Sequence, residues 1–295
     1  MEITFLGTSQ AIPTKSRNHT ANLLRYESEN ILIDCGEGTQ RQFRISGENP
    51  CKLTKLLITH WHGDHVLGIP GLIQTLALNN YSRTLHIYGP KNTKQYMERI
   101  LGMFLFREKI KILVHEIGEG KFYENGFSLT AYKMEHTGPC LAYSFEEKAK
   151  RKIDMKKIKK LGIKGPLIGK LQRGENIVVE GKKILSDKVT YLKPGKKVSF
   201  IFDTKLNPNC IKAAKNSDIL VCEAVYLDEL KEKASEYKHL TASQAGEIAK
   251  KSSAKKLFLT HLSQRYEKNE DAILKEAKKK FPTAVLAQDL MKIEV

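Results

Sequence analysis

The chain has 295 residues, 41% of them hydrophobic, which is enough for a substantial core and within the length that one large α/β domain with an insertion reaches. Its 50 Lys and Arg against 33 Asp and Glu give a formal charge of +17 and a pI near 9.5, which favours a polyanionic partner such as nucleic acid, with a generally lysine-rich composition as the competing explanation. Cys35, Cys51, Cys140, Cys210 and Cys222 are scattered and odd in number, the first residues carry no basic leader, and no apolar run is long enough to span a bilayer; these features argue for a reducing cytoplasm and against secretion, membrane insertion and a thiolate zinc site.

Short apolar runs rich in β-branched and aromatic residues end at Gly, Asp or His: residues 3–6 before Gly7, 31–33 before Asp34, 56–58 ahead of His60, 198–202 before Asp203 and 257–259 ahead of His261. Helical patterns lie between them, over residues 68–79, 93–106, 206–215, 243–251 and 271–279. Thr241 and Gln244 form a capping box ahead of the fourth. The alternation predicts layered strands and helices, with a site assembled from strand-end loops.

The pattern breaks from about residue 146 to residue 189. Here Lys148, Lys150, Arg151, Lys152, Lys156, Lys157, Lys159, Lys160, Lys164, Lys170 and Arg173 crowd around a small apolar set. Met155, Ile158 and Leu161 suit a short amphipathic helix that Gly162 and Gly165-Pro166 stop, and the hydrophobic content looks too small to bury as a core. The segment reads either as a basic protrusion or as a solvated surface insertion.

His60-Trp61-His62-Gly63-Asp64-His65 packs three imidazoles and a carboxylate into six positions directly after an apolar strand. Neutral imidazole and carboxylate suit zinc, and a hydrolytic zinc site keeps a position open for water. The cluster cannot complete two metal sites alone. His136, Asp203 and His261, each at or near the end of a predicted strand, are the candidates to complete them, although each taken singly also reads as an ordinary structural polar residue.

With those residues in hand, the chain resembles the metallo-β-lactamase superfamily, and within it the ribonuclease Z family of tRNA 3′-processing endonucleases. Pro13-Thr14-Lys15-Ser16-Arg17-Asn18 is similar to that family's PxKxRN loop, and residues 34–40 to its DCGEGTQ segment. His239-Leu240-Thr241-Ala242 and residues 260–266 are similar to its two C-terminal motifs. The resemblance implies an αβ/βα four-layer metallo-β-lactamase sandwich over residues 1–295, with residues 147–188 inserted as a flexible, basic tRNA-binding arm.

It further implies His60, His62 and His136 on one zinc, Asp64, His65 and His261 on another, and Asp203 bridging both, with the two ions about 3.5–4 Å apart and a hydroxide between them. Asp64 would also accept the water's proton, and His239 would donate one to the departing ribose 3′-oxygen, supported by Glu223. Lys15, Arg17 and Asn18 would meet the acceptor end, and Gly165, Pro166, Lys170 and Arg265 would join in RNA binding. The implied activity is zinc-dependent cleavage of precursor tRNA 3′ of the discriminator nucleotide by a homodimer, leaving a 3′-hydroxyl on the tRNA and a 5′-phosphate on the trailer.

Two departures stand out. Phe202 precedes Asp203 where relatives often have Gly, and Lys205 follows Thr204 where they often have Arg. Gly7, Gly36 and Gly38 read as tight-turn positions, and Trp61, the only tryptophan, has no role that the sequence assigns. The competing functions are a phosphodiesterase or arylesterase of the same fold acting on small molecules, and a non-catalytic RNA-binding subunit. An arm and a PxKxRN loop serve neither a small substrate nor an ester, and a subunit released from catalysis has no need of a convergent polar cluster.

Overall fold

The computed structural model describes residues 1–105, 110–179 and 181–295. Most strands of the described residues belong to two seven-stranded sheets. In the first, the spatial order is Lys292–Glu294, Glu2–Gly7, Ala21–Tyr26, Glu29–Ile33, Lys55–Leu57, Thr84–Gly89 and Lys111–Glu116. In the second it is Val285–Leu286, Lys256–Thr260, Ile219–Glu223, Lys197–Ile201, Pro139–Glu147, Phe127–Glu135 and Gly120–Glu124. Both are mixed sheets. The first turns from antiparallel to parallel at Glu29–Ile33, where Ile33 pairs with Leu57, and in the second the four strands from Lys197–Ile201 to Val285–Leu286 run parallel.

The apolar runs of the sequence are continuous rather than alternating because these strands are buried on both faces. Between the sheets, the Phe5 and Phe258 rings meet with centroids 5.7 Å apart, and Tyr26 meets Phe145 edge-on at 5.1 Å. Outside the first sheet, helices Thr39–Ser46, Ile69–Leu78 and Thr93–Met103 bury Phe43, Leu72, Leu76 and Met97 against Leu6, Leu32, Leu56 and Ile87. Outside the second, helices Pro208–Ala214, Ala242–Lys251 and Glu270–Lys280 bury Cys210, Ala245, Ile248 and Ile273 against Leu220, Cys222, Leu257 and Leu259. The order helix, sheet, sheet, helix is the αβ/βα sandwich, and burying each Leu, Ile or Phe stabilises it by about 1.5–3 kcal/mol.

Each predicted helix is present within a few residues, and the capping box forms as expected, with Gln244 N donating to Thr241 Oγ1 and Thr241 N donating back to Gln244 Oε1. The helix expected over residues 93–106 ends at Met103, and Phe106 lies outside the described residues. All five cysteines are free, and among the described residues no helix is long and apolar enough to cross a membrane.

The chain divides into two compact units, the second made of residues 124–128 and 146–196. That second unit corrects one expectation, because its apolar residues do make a core. Ile158, Ile163, Leu171, Ile177 and Val189 are buried, with Ile153, Leu167, Ile168, Val179 and Ile184 packed against them. No single helix or strand there carries enough apolar surface. Two two-stranded antiparallel sheets, Lys150–Ile153 with Thr190–Lys193 and Ile177–Val179 with Lys182–Ile184, pool theirs with helices Met155–Lys160 and Pro166–Gln172. Gly165-Pro166 therefore begins a second helix as well as ending the stretch after the first, since a proline at the first helical position lacks only an N–H that would be unpaired there. Glu180, within the segment expected as the arm, lies outside the described residues.

Candidate metal centre

The polar residues that end the apolar runs converge. Asp203 follows strand Lys197–Ile201, His261 follows Lys256–Thr260, and His136 follows Phe127–Glu135, while residues 58–62 lead from strand Lys55–Leu57 into a helical turn, Gly63–Val66, that carries Asp64 and His65. Carboxyl ends of parallel strands are where open α/β sheets leave a crevice. The backbone is bent to reach it: Asp34, Asp203 and His261 adopt φ of 59°, 38° and 57°, in the left-handed region that non-glycine residues occupy only under strain. Close backbone approach fixes the loop beneath. A β-carbon at Gly36 would lie 2.4 Å from the Asp64 carbonyl oxygen, and one at Gly68 2.1 Å from that of Gly36. Gly36 thus serves contact rather than a turn, whereas Gly38, at φ 77°, is a genuine left-handed position.

Two groups of donors face one another across Asp203. Its Oδ2 lies 3.4 Å from His60 Nε2 and 3.6 Å from His136 Nε2; its Oδ1 lies 3.3 Å from His65 Nε2 and 2.9 Å from His261 Nε2. His62 joins the first group, its Nδ1 3.2 Å from His136 Nε2, and Asp64 Oδ2 joins the second, 3.5 Å from His65 Nε2 and 3.9 Å from His261 Nε2. The potential ligand atoms of His60, His62, His136 and Asp203 all lie within 4.8 Å of one another, as do those of Asp64, His65 and His261.

The imidazoles are aimed from behind. His65 Nδ1 donates to Asp34 Oδ2 at 2.7 Å, and His136 Nδ1 to the Lys238 carbonyl at 3.1 Å. Thr59 Oγ1 donates to Asp34 and Thr20 Oγ1 to the Ser9 carbonyl, so each accepts from a ring, His60 Nδ1 at 3.1 Å and His261 Nδ1 at 2.6 Å respectively. These partners fix the tautomer that leaves Nε2 as a lone pair pointing inward. Among the described residues, the Nε2 atoms of His60, His65 and His261 and Oδ1 of Asp203 are buried without a hydrogen-bond partner. A buried polar atom left so costs about 1–3 kcal/mol, and a cation is the one partner that satisfies convergent imidazole and carboxylate lone pairs together. The donor set therefore fits divalent metal.

Charge in the cluster is correspondingly polarised. Burial, with His65 beside it, pushes the His60 imidazole well below its ordinary pKa. Burial also opposes charge on His65, yet the carboxylates of Asp203, Asp34 and Asp64 raise it well above. Against its own burial, Asp203 is held well below the usual carboxylate range by His261, His65 and His60.

Beside the centre, His239 lies 5.2 Å from His136 and 6.0 Å from His261 between ring centroids. Its Nδ1 is 3.1 Å from Glu223 Oε2, which also accepts from Leu240 N, while Glu223 Oε1 accepts from Thr204 N. Burial works against charge on His239, but Glu223 and Asp203 outweigh it and raise its pKa to about 9.

The residues expected to contact RNA divide. Lys15, Gly165, Pro166, Lys170 and Arg265 are exposed. Arg17 is not. It is 4% exposed and its guanidinium is consumed internally, by Glu270 at 2.5 and 2.6 Å, Thr8 Oγ1 at 2.5 Å and the Ala287 carbonyl at 2.7 Å. This corrects the expectation that Arg17 meets the acceptor end directly: its fork is saturated by partners far along the chain, so it anchors the loop from beneath. Asn18 is also tied in, donating from Nδ2 to the Glu37 carbonyl at 2.7 Å and from N to Asp289 at 2.7 Å. Sequence reasoning singled out neither Asp34 as the support of His65 nor Thr20 as that of His261. Asp34 carried two signals, its place at the end of the apolar run 31–33 and the DCGEGTQ resemblance that includes it, whereas Thr20 carried none.

A family model described as anti-Pycsar protein Apyc1 matches residues 1–137. Ribonuclease Z of Methanothermobacter thermautotrophicus is 42% identical over 298 residues, covering 100% of this chain and 97% of the relative. Ribonuclease Z of Archaeoglobus fulgidus is 39% identical, covering 100% and 97%. Among solved structures, human tRNase Z, short form, matches with a TM-score of 0.72 at 28% identity over 100% of this chain and 99% of its own. The metallo-β-lactamase fold protein YhfI of Bacillus subtilis matches with a TM-score of 0.72 at 20% identity, covering 100% and 98%, a likeness of fold. Identity of this order across the whole chain, on a sandwich whose strand ends gather His60, His62, Asp64, His65, His136, Asp203 and His261, establishes that the chain belongs to the ribonuclease Z family of metallo-β-lactamase-fold endoribonucleases.

Proposed function

We propose that the protein is a zinc-dependent endoribonuclease that cuts precursor tRNA 3′ of the discriminator nucleotide, leaving a 3′-hydroxyl on the tRNA and a 5′-phosphate on the trailer. The observation that carries this is the inward set of buried atoms, Nε2 of His60, His65 and His261 and Oδ1 of Asp203, that have no hydrogen-bond partner among the described residues. Imidazole with carboxylate is a donor set suited to zinc, so His60, His62 and His136 would hold one ion, Asp64, His65 and His261 a second, and Asp203 both. When bound, such a pair supplies an activated nucleophile at neutral pH and compensates charge on the scissile phosphate.

The chain's own residues supply the proton transfers. Asp64 turns Oδ2 toward His65 and His261 and has a second oxygen to accept the proton of the attacking water. His239 donates to the ribose 3′-oxygen as the P–O bond breaks. Its Nδ1 is engaged by Glu223, so Nε2 is the donating atom, and the Glu223 carboxylate favours the charged form of the ring. Replacing His239 by Ala is expected to slow single-turnover cleavage by about 10²–10⁴-fold with bound metal unchanged. Metal analysis beside the rate separates that result from loss of the centre.

Residues 147–188 would bind the tRNA body, because double-stranded RNA is held by shape through phosphate and 2′-hydroxyl contacts that lysines make without reading sequence. In the homodimer implied by the family, one subunit would grip tRNA whose end lies at the other's centre. The deciding experiment is to incubate a 3′-extended tRNA transcript with the purified protein and identify the termini of both fragments. Cleavage that a chelator stops, after the discriminator, with a 3′-hydroxyl and a 5′-phosphate, supports the proposal; a cut elsewhere or the opposite termini rejects it.

A further inference from the structure

On the His60 and His62 flank of the centre lies a small cavity of about 170 Å³ that none of the roles above uses. Trp61, Tyr96, Lys91, Asn92 and Thr137 line it along with the two histidines. It is well below the roughly 300–1,000 Å³ of pockets that enclose whole small molecules, so it suits a single ring system. Its aromatic wall is built and fixed. The Trp61 and Tyr96 rings lie 5.0 Å apart between centroids. Trp61 Nε1 donates to Thr93 Oγ1 at 2.9 Å, and that hydroxyl in turn donates to the Pro90 carbonyl at 2.7 Å. The turn beneath bends through Asn92 at φ 74°. A partly exposed indole locked in orientation next to a cavity, with the exposed Lys91 at its rim, combines a π-face with a positive charge. That is the pairing by which single-stranded nucleic acid is held: base on ring, phosphate on lysine.

The position says which base. The PxKxRN loop borders the opposite group of donors, since Ser9 pairs with both the Asn18 carbonyl and Leu262, and Thr20 holds His261. With the tRNA end at that loop, as the family resemblance implies, the RNA would cross Asp203 and leave past His60 and His62. We propose that the Trp61–Tyr96 wall is a stacking subsite for the base of the first trailer nucleotide, with Lys91 taking the phosphate that follows it. This rests on the endoribonuclease function proposed above and adds a site on the product side of the cut.

Trp61 is the only tryptophan, so its fluorescence reports the cavity directly. The zinc-loaded Asp64→Ala protein is titrated with two precursor tRNAs, one complete and one abasic at the first trailer position, with affinity measured in parallel by filter retention. The complete RNA is expected to quench the emission and to bind about tenfold tighter than the abasic one, the order of a single base–aromatic stack. Trp61→Phe keeps that difference, whereas Trp61→Ala abolishes it by weakening the complete RNA alone, which a merely structural tryptophan would not do. Equal quenching and equal affinity for both RNAs would overturn the subsite while leaving the endoribonuclease standing, as would binding without any quench. Absence of binding by filter retention would overturn the endoribonuclease proposal and the subsite with it.

Discussion

Asp64→Ala is expected to lower single-turnover cleavage of a 3′-extended tRNA by about 10⁴-fold, the upper end of what a positioned proton acceptor contributes, while tRNA binding stays close to that of the unaltered protein. The magnitude follows from the double use of one carboxylate, as a metal ligand and as the acceptor of the water's proton. The selectivity follows from its surroundings. Asp64 sits in the four-residue helical turn Gly63–Val66, its side chain is 10% exposed, and it faces His65 and His261 rather than the hydrophobic core. The fold beneath it is held by Gly36, Gly68 and Asp34, which the substitution does not touch. A variant that kept a tenth of the activity would show that the water's proton goes elsewhere.

The second large effect is expected from the basic unit. Ile153 and Thr190 are Cα partners at the end of the ladder between Lys150–Ile153 and Thr190–Lys193, so residues 154–189 can be replaced by an Asn-Gly turn that closes the ladder. The excision removes Lys156, Lys157, Lys159, Lys160, Lys164 and Lys170 together with a core that belongs to the unit itself. Losing six or so phosphate contacts weakens RNA binding by about 10³-fold or more at moderate salt, and cleavage of precursor tRNA at low enzyme concentration should fall accordingly. Hydrolysis of bis(p-nitrophenyl) phosphate, which engages only the metal centre, should stay within a factor of about two, because independent units add rather than couple. The two rates measured on one preparation give the answer. Equal loss of both would make the unit a support for the centre instead of a tRNA grip.

The site was legible to the extent that it lies in local pattern. An apolar run ending in His or Asp marks a strand end facing a crevice, and that rule picked out Asp203 and His261; His136 stood out by its place just past a predicted strand, and the structure brings all three against the His60–His65 loop. What stayed hidden depends on contacts between distant segments. Thr20 supports His261 from 241 residues away, and Arg17 is saturated by Glu270 at a separation of 253 residues. A basic residue in a loop motif looks the same in sequence whether its charge meets solvent or a buried carboxylate. The core of the second unit was missed for a related reason: each strand and helix there is too short to show a periodicity, and only their sum is apolar enough to exclude water.

The left-handed conformations at Asp34, Asp203 and His261 carry a consequence for any attempt to toughen this protein. Each holds about 1–3 kcal/mol of backbone discomfort, and glycine would release it, but only by deleting the very group for which the chain was bent. Endurance and activity therefore pull against each other at three places in one small region. Substitutions that raise heat tolerance should gather in the helices and outer cores, and the rims of the parallel strands should yield only inert proteins, however sturdy.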